Sequence, residues 1–375
     1  MPIKVLIVDD TILYRKVIGD ILKEESDIEV VGTANNGRIA ISRIESLKPD
    51  LLTLDIEMPV CNGLEVLEYL KENHPQTGAI MLSSLTRKGG DMTMKALELG
   101  AFDFMPKPEG GSMAENQAFI KKDLIAKIRM YARRHLLKRL LQGEAPQTAP
   151  NRSAPGYTPR AASALQSPTG VLTQPVASKK RHFSSTIIAI GISTGGPNAL
   201  SRMLPMLTAP IGVPIVIVQH MPPLFTKSLA DSLNNKCSLN VKEAEDGEIL
   251  SNDVVYIAPG GKQMKIIANP GGHGKIKITD DAPENNCKPS ADYLFRSVAG
   301  VYQERATGVI MTGMGNDGTK GLRLIKRHGS PVIAQDEESC VVYGMPKEAV
   351  NAGVVDISLP LDRIAAEIVK TIKNA

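Results

Sequence analysis

The chain has 375 residues, of which 42% are hydrophobic and 22% charged, with 44 Lys and Arg against 40 Asp and Glu for a formal charge of +4. That composition excludes a wholly disordered or collagen-like polymer, and a chain this long buries a core without disulfide or metal staples. The mild basic excess leaves a nucleic-acid partner open on the total alone.

The opening MPIKVLIVDD turns acidic within ten residues and leads into no apolar run with a cleavage site, so no signal peptide is expected. Apolar strand-like runs follow at KVLIVD (4–9), IEVVGTA (28–34), DLLTLD (50–55), GAIMLSS (78–84) and FDFMPK (102–107). Helical patterns such as YRKVIGDILKEE, GRIAISRIESL, NGLEVLEYLKEN and MTMKALELG lie between them. Strands alternating with helices at this spacing predict βαβ units and a five-stranded parallel, flavodoxin-like doubly wound domain. A basic helix is predicted next, from about Ala118 to Leu141.

From Gly143 to Arg181 the sequence holds six prolines among Ser, Thr, Ala and Gln, without apolar periodicity. This predicts a flexible linker between two globular parts. The second part, from Ser184, is again βα-rich, with strands at STIIAIGIS, VPIVIVQH, DVVYIAPG, KIKITD, GVIMTGM and SPVIAQD. A hairpin at ANPGGHGKIKI predicts a mixed sheet in a doubly wound α/β domain. No run approaches 18 apolar residues, so no membrane span is expected. Cys61, Cys237, Cys287 and Cys340 form no CxxC, which predicts reduced thiols in a cytoplasmic protein.

In an open parallel sheet the carboxyl ends of the strands share one edge. Asp9 and Asp10 end the first strand, Asp55 the third and Ser83 the fourth, and Lys107 follows the fifth. Three converging carboxylates repel unless a cation neutralises them, and hard oxygen ligands with an open shell suit Mg²⁺. Asp55 can then serve as a nucleophile toward a phosphoryl group, with Lys107 neutralising an oxygen. In the second part, GISTGG (191–196) follows a strand and opens a helix, satisfying G-x-S-x-G with Ser193 at the turn. His220 closes VPIVIVQH, and Asp317 lies in TGMGNDG after GVIM. Ser193, His220 and Asp317 are thus candidates for nucleophile, base and orienting acid, with His273 and Asp336 as competitors for the last two roles. Their order, Ser, His, Asp, differs from that of the α/β-hydrolases.

Residues 1–110 resemble the response-regulator receiver domain through VLIVDD (5–10), LDIEMPVCNG (54–63), Ser83-Ser84 and Lys107-Pro108. The resemblance implies phosphorylation at Asp55 and Mg²⁺ held by Asp10, Asp55 and the Glu57 backbone carbonyl, with Asp9 acting through water. It also implies a switch hydroxyl at Ser83 and a switch aromatic at Phe104. Val60, Cys61 and Asn62 fill the loop where an Asp before the glycine is common. Residues 184–375 look like the catalytic domain of the chemotaxis protein-glutamate methylesterases, through GISTGGP, QHMP, YIAPGGKQM, ADYLFRSVA, TGMGNDG and QDEESCVVYGMP. That likeness implies a triad of Ser193, His220 and Asp317, with an oxyanion site at the Met314 N–H and around Thr194, and no cofactor in this part. Gln263 and Lys320 depart from the family's usual residues.

Together the resemblances imply a receiver at 1–120, a basic helix and linker at 121–183, and a methylesterase and glutamine deamidase domain at 184–375. They imply a chemotaxis histidine kinase as phosphoryl donor, methyl-accepting receptors as substrate, and a monomer. A transcriptional regulator would end in a basic recognition helix, which the second part lacks. The charge is uneven: net −6 over 1–110, +6 over 111–141, +4 over 142–183 and zero over 184–375. Neither globular part is basic, so no nucleic-acid partner is expected, and the basic helix is expected to meet the acidic receiver or an acidic receptor face.

Overall fold

The structure, a computed structural model, describes residues 2–108, 110–141 and 184–373, so the predicted linker lies outside the described residues. The N-terminal domain runs β1 (Ile3–Val8), α1 (Ile12–Lys23), β2 (Ile28–Ala34), α2 (Gly37–Leu47), β3 (Leu51–Asp55), α3 (Gly63–Asn73), β4 (Gly78–Ser83), α4 (Arg87–Leu99), β5 (Asp103–Pro106) and α5 (Met113–Leu141). Its five strands pair in parallel in the order β2-β1-β3-β4-β5. Helices cover both faces, so β1 and β3 are almost continuously apolar rather than alternating. Thr86 caps α4 through Gly89, and Gly100 ends it at φ 112°.

Helix α5 starts five residues before the predicted Ala118. Ser112 and Glu115 form a reciprocal cap there: the Ser112 N–H donates to Glu115 Oε2 at 2.8 Å, and the Glu115 N–H to Ser112 Oγ at 3.2 Å. The helix lies on the acidic corner of its own domain. Lys121 pairs with Glu24 at 2.5 Å, and Arg129 with Glu25 at 2.7 Å and Asp27 at 2.8 Å. Of the two expected destinations for these cations, the structure takes the first.

The second domain contains β6 (Ile187–Ile192), α6 (Gly196–Met203), β7 (Ile215–Gln219), α7 (Phe225–Asn234), β8 (Asn240–Glu243), β9 (Val254–Ile257), β10 (Gln263–Ile267), β11 (Lys275–Thr279), α8 (Ala291–Tyr302), β12 (Ala306–Ile310), α9 (Thr319–Arg327), β13 (Val332–Gln335), α10 (Met345–Asn351), β14 (Ile357–Leu359) and α11 (Leu361–Lys373). Seven strands form one sheet in the order β14-β13-β12-β6-β7-β9-β8. Every pairing in it is parallel. The expected hairpin forms, but β10 and β11 bond to each other as a separate two-stranded sheet. Among the strands of the described residues, antiparallel pairing is therefore confined to the hairpin, and the main sheet is not itself mixed. The chain leaves central β6 toward β7 on one side and is flanked by β12 on the other, so a topological switch point falls at the end of β6. No helix among the described residues is long and apolar enough to cross a membrane.

Candidate active site

The register places the three C-terminal candidates on one edge. Ile192 of β6 pairs with Gln219 of β7, and Gly191 with Ile310 of β12. Ser193 and His220 are thus the next residues on adjacent strands, roughly 4.8 Å apart in the ladder direction. Ser193 begins a tight turn: the Gly196 N–H donates back to its carbonyl at 2.7 Å, and its own N–H donates to Thr312 O at 2.9 Å. Gly195 is needed in this turn twice over, because its φ is 75° and an added Cβ would meet Val341 Cβ at 2.4 Å.

His220 Nε2 lies 2.8 Å from Asp317 Oδ2, with the two side chains 14% and 2% exposed. Asp317 in turn sits at the N-terminus of α8. Its oxygens accept from the Ala291 N–H at 2.6 Å, the Asp292 N–H at 3.1 Å, Ser290 Oγ at 2.8 Å and Asn285 Nδ2 at 2.8 Å. Burial works to raise the Asp317 pKa, but His220 and these donors outweigh it and hold the acid down at about 2. Burial likewise works against charge on His220, and the Asp317 hydrogen bond together with the neighbouring Cys287 sulfur overcomes it, so the imidazole is raised to about 9. With Nε2 committed to Asp317, the ring nitrogen left to act as a base is Nδ1, which faces Cys287 Sγ at 3.7 Å. The N–H groups of Thr194 and Met314 donate to no protein acceptor among the described residues.

Sequence reasoning missed Asn285, Ser290 and Cys287 as neighbours of the site. Ser290 was legible as the cap of α8, whose Tyr293 N–H it accepts, but nothing in the sequence says that the helix points at Asp317. Gln263 is buried and serves packing. It donates to Ala282 O at 3.2 Å and Cys287 O at 3.3 Å and accepts from the Ser290 N–H at 2.9 Å. Lys320 is exposed near the start of α9. Of the competitors, His273 is exposed between β10 and β11. Asp336 is occupied by the Ser339 N–H at 3.0 Å and hydroxyl at 2.6 Å.

The N-terminal domain gathers a second group at its own strand ends. Lys107 Nζ bridges Asp9 at 2.8 Å and Asp55 at 2.9 Å. Burial, partly offset by Lys107, pushes Asp55 up to about 6. One carboxylate oxygen from each of Asp9, Asp10 and Asp55 lies within 4.8 Å of the others. This hard, all-oxygen set fits Mg²⁺. The Glu57 carboxylate is engaged by Lys88 at 3.0 Å and Ser84 at 3.1 Å rather than turned into that set. Asn62 caps α3 in a box with Glu65, as an Asp at that position would. The Ser83 hydroxyl is buried and turned to α4, donating to Gly89 O at 3.1 Å and accepting from Thr93 Oγ1 at 2.8 Å.

A family model of the CheB methylesterase matches residues 188–368, and one of the response regulator receiver domain matches residues 5–115. A protein-glutamate methylesterase/protein-glutamine glutaminase of Desulfotalea psychrophila is 53% identical over 375 residues, covering 99% of both chains. A relative of the same name from Bacillus subtilis is 44% identical over 373 residues, again covering 99% of both. The chain belongs to the CheB methylesterase family. It carries a receiver domain ahead of the methylesterase domain, and the transcriptional alternative falls away.

The receiver is docked on the methylesterase domain through α4 and α7. Phe104 stacks on Phe225, with ring centroids 4.9 Å apart and planes at 7°. Ser228 Oγ donates to Asp91 at 2.6 Å, and Ser232 and Lys236 meet Glu98 at 2.7 and 2.6 Å. Gly90 lets the helices come this close, since an added Cβ would lie 2.7 Å from Ser228 Oγ. Val341, which packs on the turn after Ser193, also packs against the receiver's apolar cluster. Lys127 of α5 holds the strand that bears Phe104, reaching its carbonyl at 2.5 Å and Asp103 at 3.3 Å.

Proposed function

We propose that this chain removes methyl esters from glutamate side chains of chemoreceptors, deamidates receptor glutamines, and is activated by phosphorylation of Asp55. The observation that supports this most is the His220–Asp317 pair at the strand ends beside Ser193, on an edge against which a receiver is packed. In this reading the chain divides into the receiver at 1–120, the connecting segment at 121–183 and the catalytic domain at 184–375.

The receptor ester lies over the sheet edge. Asp317 fixes His220 with Nε2 protonated, so Nδ1 takes the Ser193 proton as Oγ attacks the ester carbonyl. The Thr194 and Met314 N–H groups receive the developing oxyanion. Methanol leaves, water hydrolyses the acyl-enzyme, and the glutamate carboxylate is restored. On a glutamine side chain the same steps release ammonia. This chemistry asks for no metal in the catalytic domain.

Asp10, Asp55 and the Glu57 carbonyl would hold Mg²⁺ in the receiver, with Asp9 acting through water, and the ion would neutralise phosphoryl oxygens there. Asp55 accepts the phosphoryl group from a chemotaxis histidine kinase, and Lys107 pairs with an oxygen of the acyl phosphate. The Ser83 hydroxyl, now on Gly89, swings to the phosphoryl group. That releases its tie to α4, and Phe104 withdraws from Phe225. The closed arrangement gives way to an open one by population shift. The setting is the cytoplasm, the chain acts as a monomer, and no nucleic acid is involved.

The pH dependence of methanol release tests the assignment of the base. His220 is raised to about 9, so it is charged and unable to accept a proton over most of the neutral range. Only the neutral fraction works, and the rate of the full chain is expected to climb from pH 7 and reach half of its plateau near pH 9. A rate that is flat or falling across that range contradicts His220 as the base.

A further inference from the structure

Three of the four cysteines stand apart from any chemistry. Cys61 and Cys237 pack against the apolar core, and Cys340 is buried. Burial pushes all three thiols up, Cys237 to about 11 and Cys340 to about 12. Cys287 is placed differently. Its Sγ lies 3.7 Å from His220 Nδ1, while His220 Nε2 lies 2.8 Å from Asp317. Thiol, imidazole and carboxylate therefore follow one another in the order of an activated nucleophile, its base and an orienting acid.

The loop that presents the thiol is pinned. The Cys287 N–H donates to Glu284 O at 2.9 Å, and its carbonyl accepts from the Glu284 N–H at 3.1 Å and Gln263 Nε2 at 3.3 Å. The residue is partly buried, as Cys61 and Cys237 are, and what sets it apart is the imidazole nitrogen beside its sulfur. His220 Nδ1 faces the sulfur and can take the thiol proton as the sulfur attacks an electrophile.

We propose that Cys287 is a redox-sensitive thiol whose oxidation by a hydroperoxide switches the esterase off. This rests on the reading of His220 as the base for Ser193. The Cys287 thiolate attacks the terminal peroxide oxygen; the S–O bond forms as the O–O bond breaks. Sulfur loses two electrons, the peroxide takes them, and the departing hydroxide or alkoxide takes the His220 proton to leave as water or an alcohol. The product is a sulfenic acid whose added oxygen lies against Nδ1, where it occupies the nitrogen that Ser193 needs. Two equivalents of a thiol reverse the change, yielding one disulfide and water.

The test treats the full chain, activated with a small-molecule phosphodonor, with hydrogen peroxide. Sulfenic acids are trapped with dimedone and located by peptide mass spectrometry, and methanol release is followed in parallel. Cys287 is expected to label at least ten-fold faster than Cys61, Cys237 or Cys340, with activity falling in step. In a sample without dimedone, dithiothreitol is expected to restore the rate. Cys287→Ala, measured against its own untreated rate, is expected to resist peroxide, and His220→Gln is expected to slow labelling of Cys287 at least ten-fold. Preferential labelling elsewhere, or labelled Cys287 with undiminished activity, overturns the proposal. Failure of the underlying reading shows up separately: Ser193→Ala would stay active, whatever Cys287 does with peroxide.

Discussion

Ser193→Ala is expected to lower methanol release from methylated receptor membranes by at least about 10⁴-fold, because the members of a triad act as one unit and loss of the nucleophile removes most of its effect. The residue lies directly beyond β6, at the switch point of the parallel sheet, with its N–H held by Thr312 O at 2.9 Å. Trimming the hydroxyl leaves that backbone anchor and the turn through Gly195 and Gly196 in place, so the loss is chemical rather than structural. Substrate binding and the free N–H groups of Thr194 and Met314 remain, which leaves a residual rate above that of water. A variant within ten-fold of the parent would place the nucleophile elsewhere, and Cys287, on the same imidazole nitrogen, would be the residue to substitute next. An anion-binding module without catalysis predicts no methanol release from either protein.

Deleting residues 1–142 is expected to raise the basal esterase rate by roughly ten-fold or more, the factor that follows when the competent arrangement is populated in about a tenth of molecules or fewer. The contacts that hold the receiver down are individually modest. The Phe104–Phe225 stack contributes about 0.5–1.5 kcal/mol beyond the area it buries. The Ser228 hydroxyl on the Asp91 carboxylate contributes about 1.5–3 kcal/mol, and an exposed pair such as Arg87–Asp231 about 0.2–1 kcal/mol. In the proposed reading, an interface of this kind holds the receiver down until one phosphoryl group releases it. A folded fragment with unchanged or lower activity would contradict inhibition by docking.

Much of this was legible in the sequence because the chemistry sits where strands end. Val8 before Asp9, Leu54 before Asp55 and Gln219 before His220 are apolar or buried runs that stop at a candidate side chain. A parallel sheet gathers such ends on one edge without further instruction. The start of α5 was legible too, in the Ser112–Glu115 box, although apolar periodicity alone began the helix too late. The hairpin at β10 and β11 was readable as a hairpin, but no local signal says which sheet a hairpin joins. Strand β8 reads NVKE, which is largely polar, and β14 has only three residues, so neither shows an apolar run. The segment from Asn285 to Ser290 has no periodicity at all, yet it supplies donors to Asp317 and places Cys287 on His220. The docking of α4 on α7 was equally hidden. Phe225, Ser228 and Ser232 read as an ordinary amphipathic helix until the partner surface is known.

The central claim is that phosphorylation of Asp55 uncovers the Ser193 edge. The measurement that bears on it most directly is methanol release by the full chain with and without a small-molecule phosphodonor and Mg²⁺, for the parent and for Asp55→Asn. The parent rate is expected to rise roughly ten-fold, toward that of the fragment lacking residues 1–142, while Asp55→Asn stays at the basal rate. A parent that does not respond, or an Asp55→Asn chain that responds equally, would contradict it.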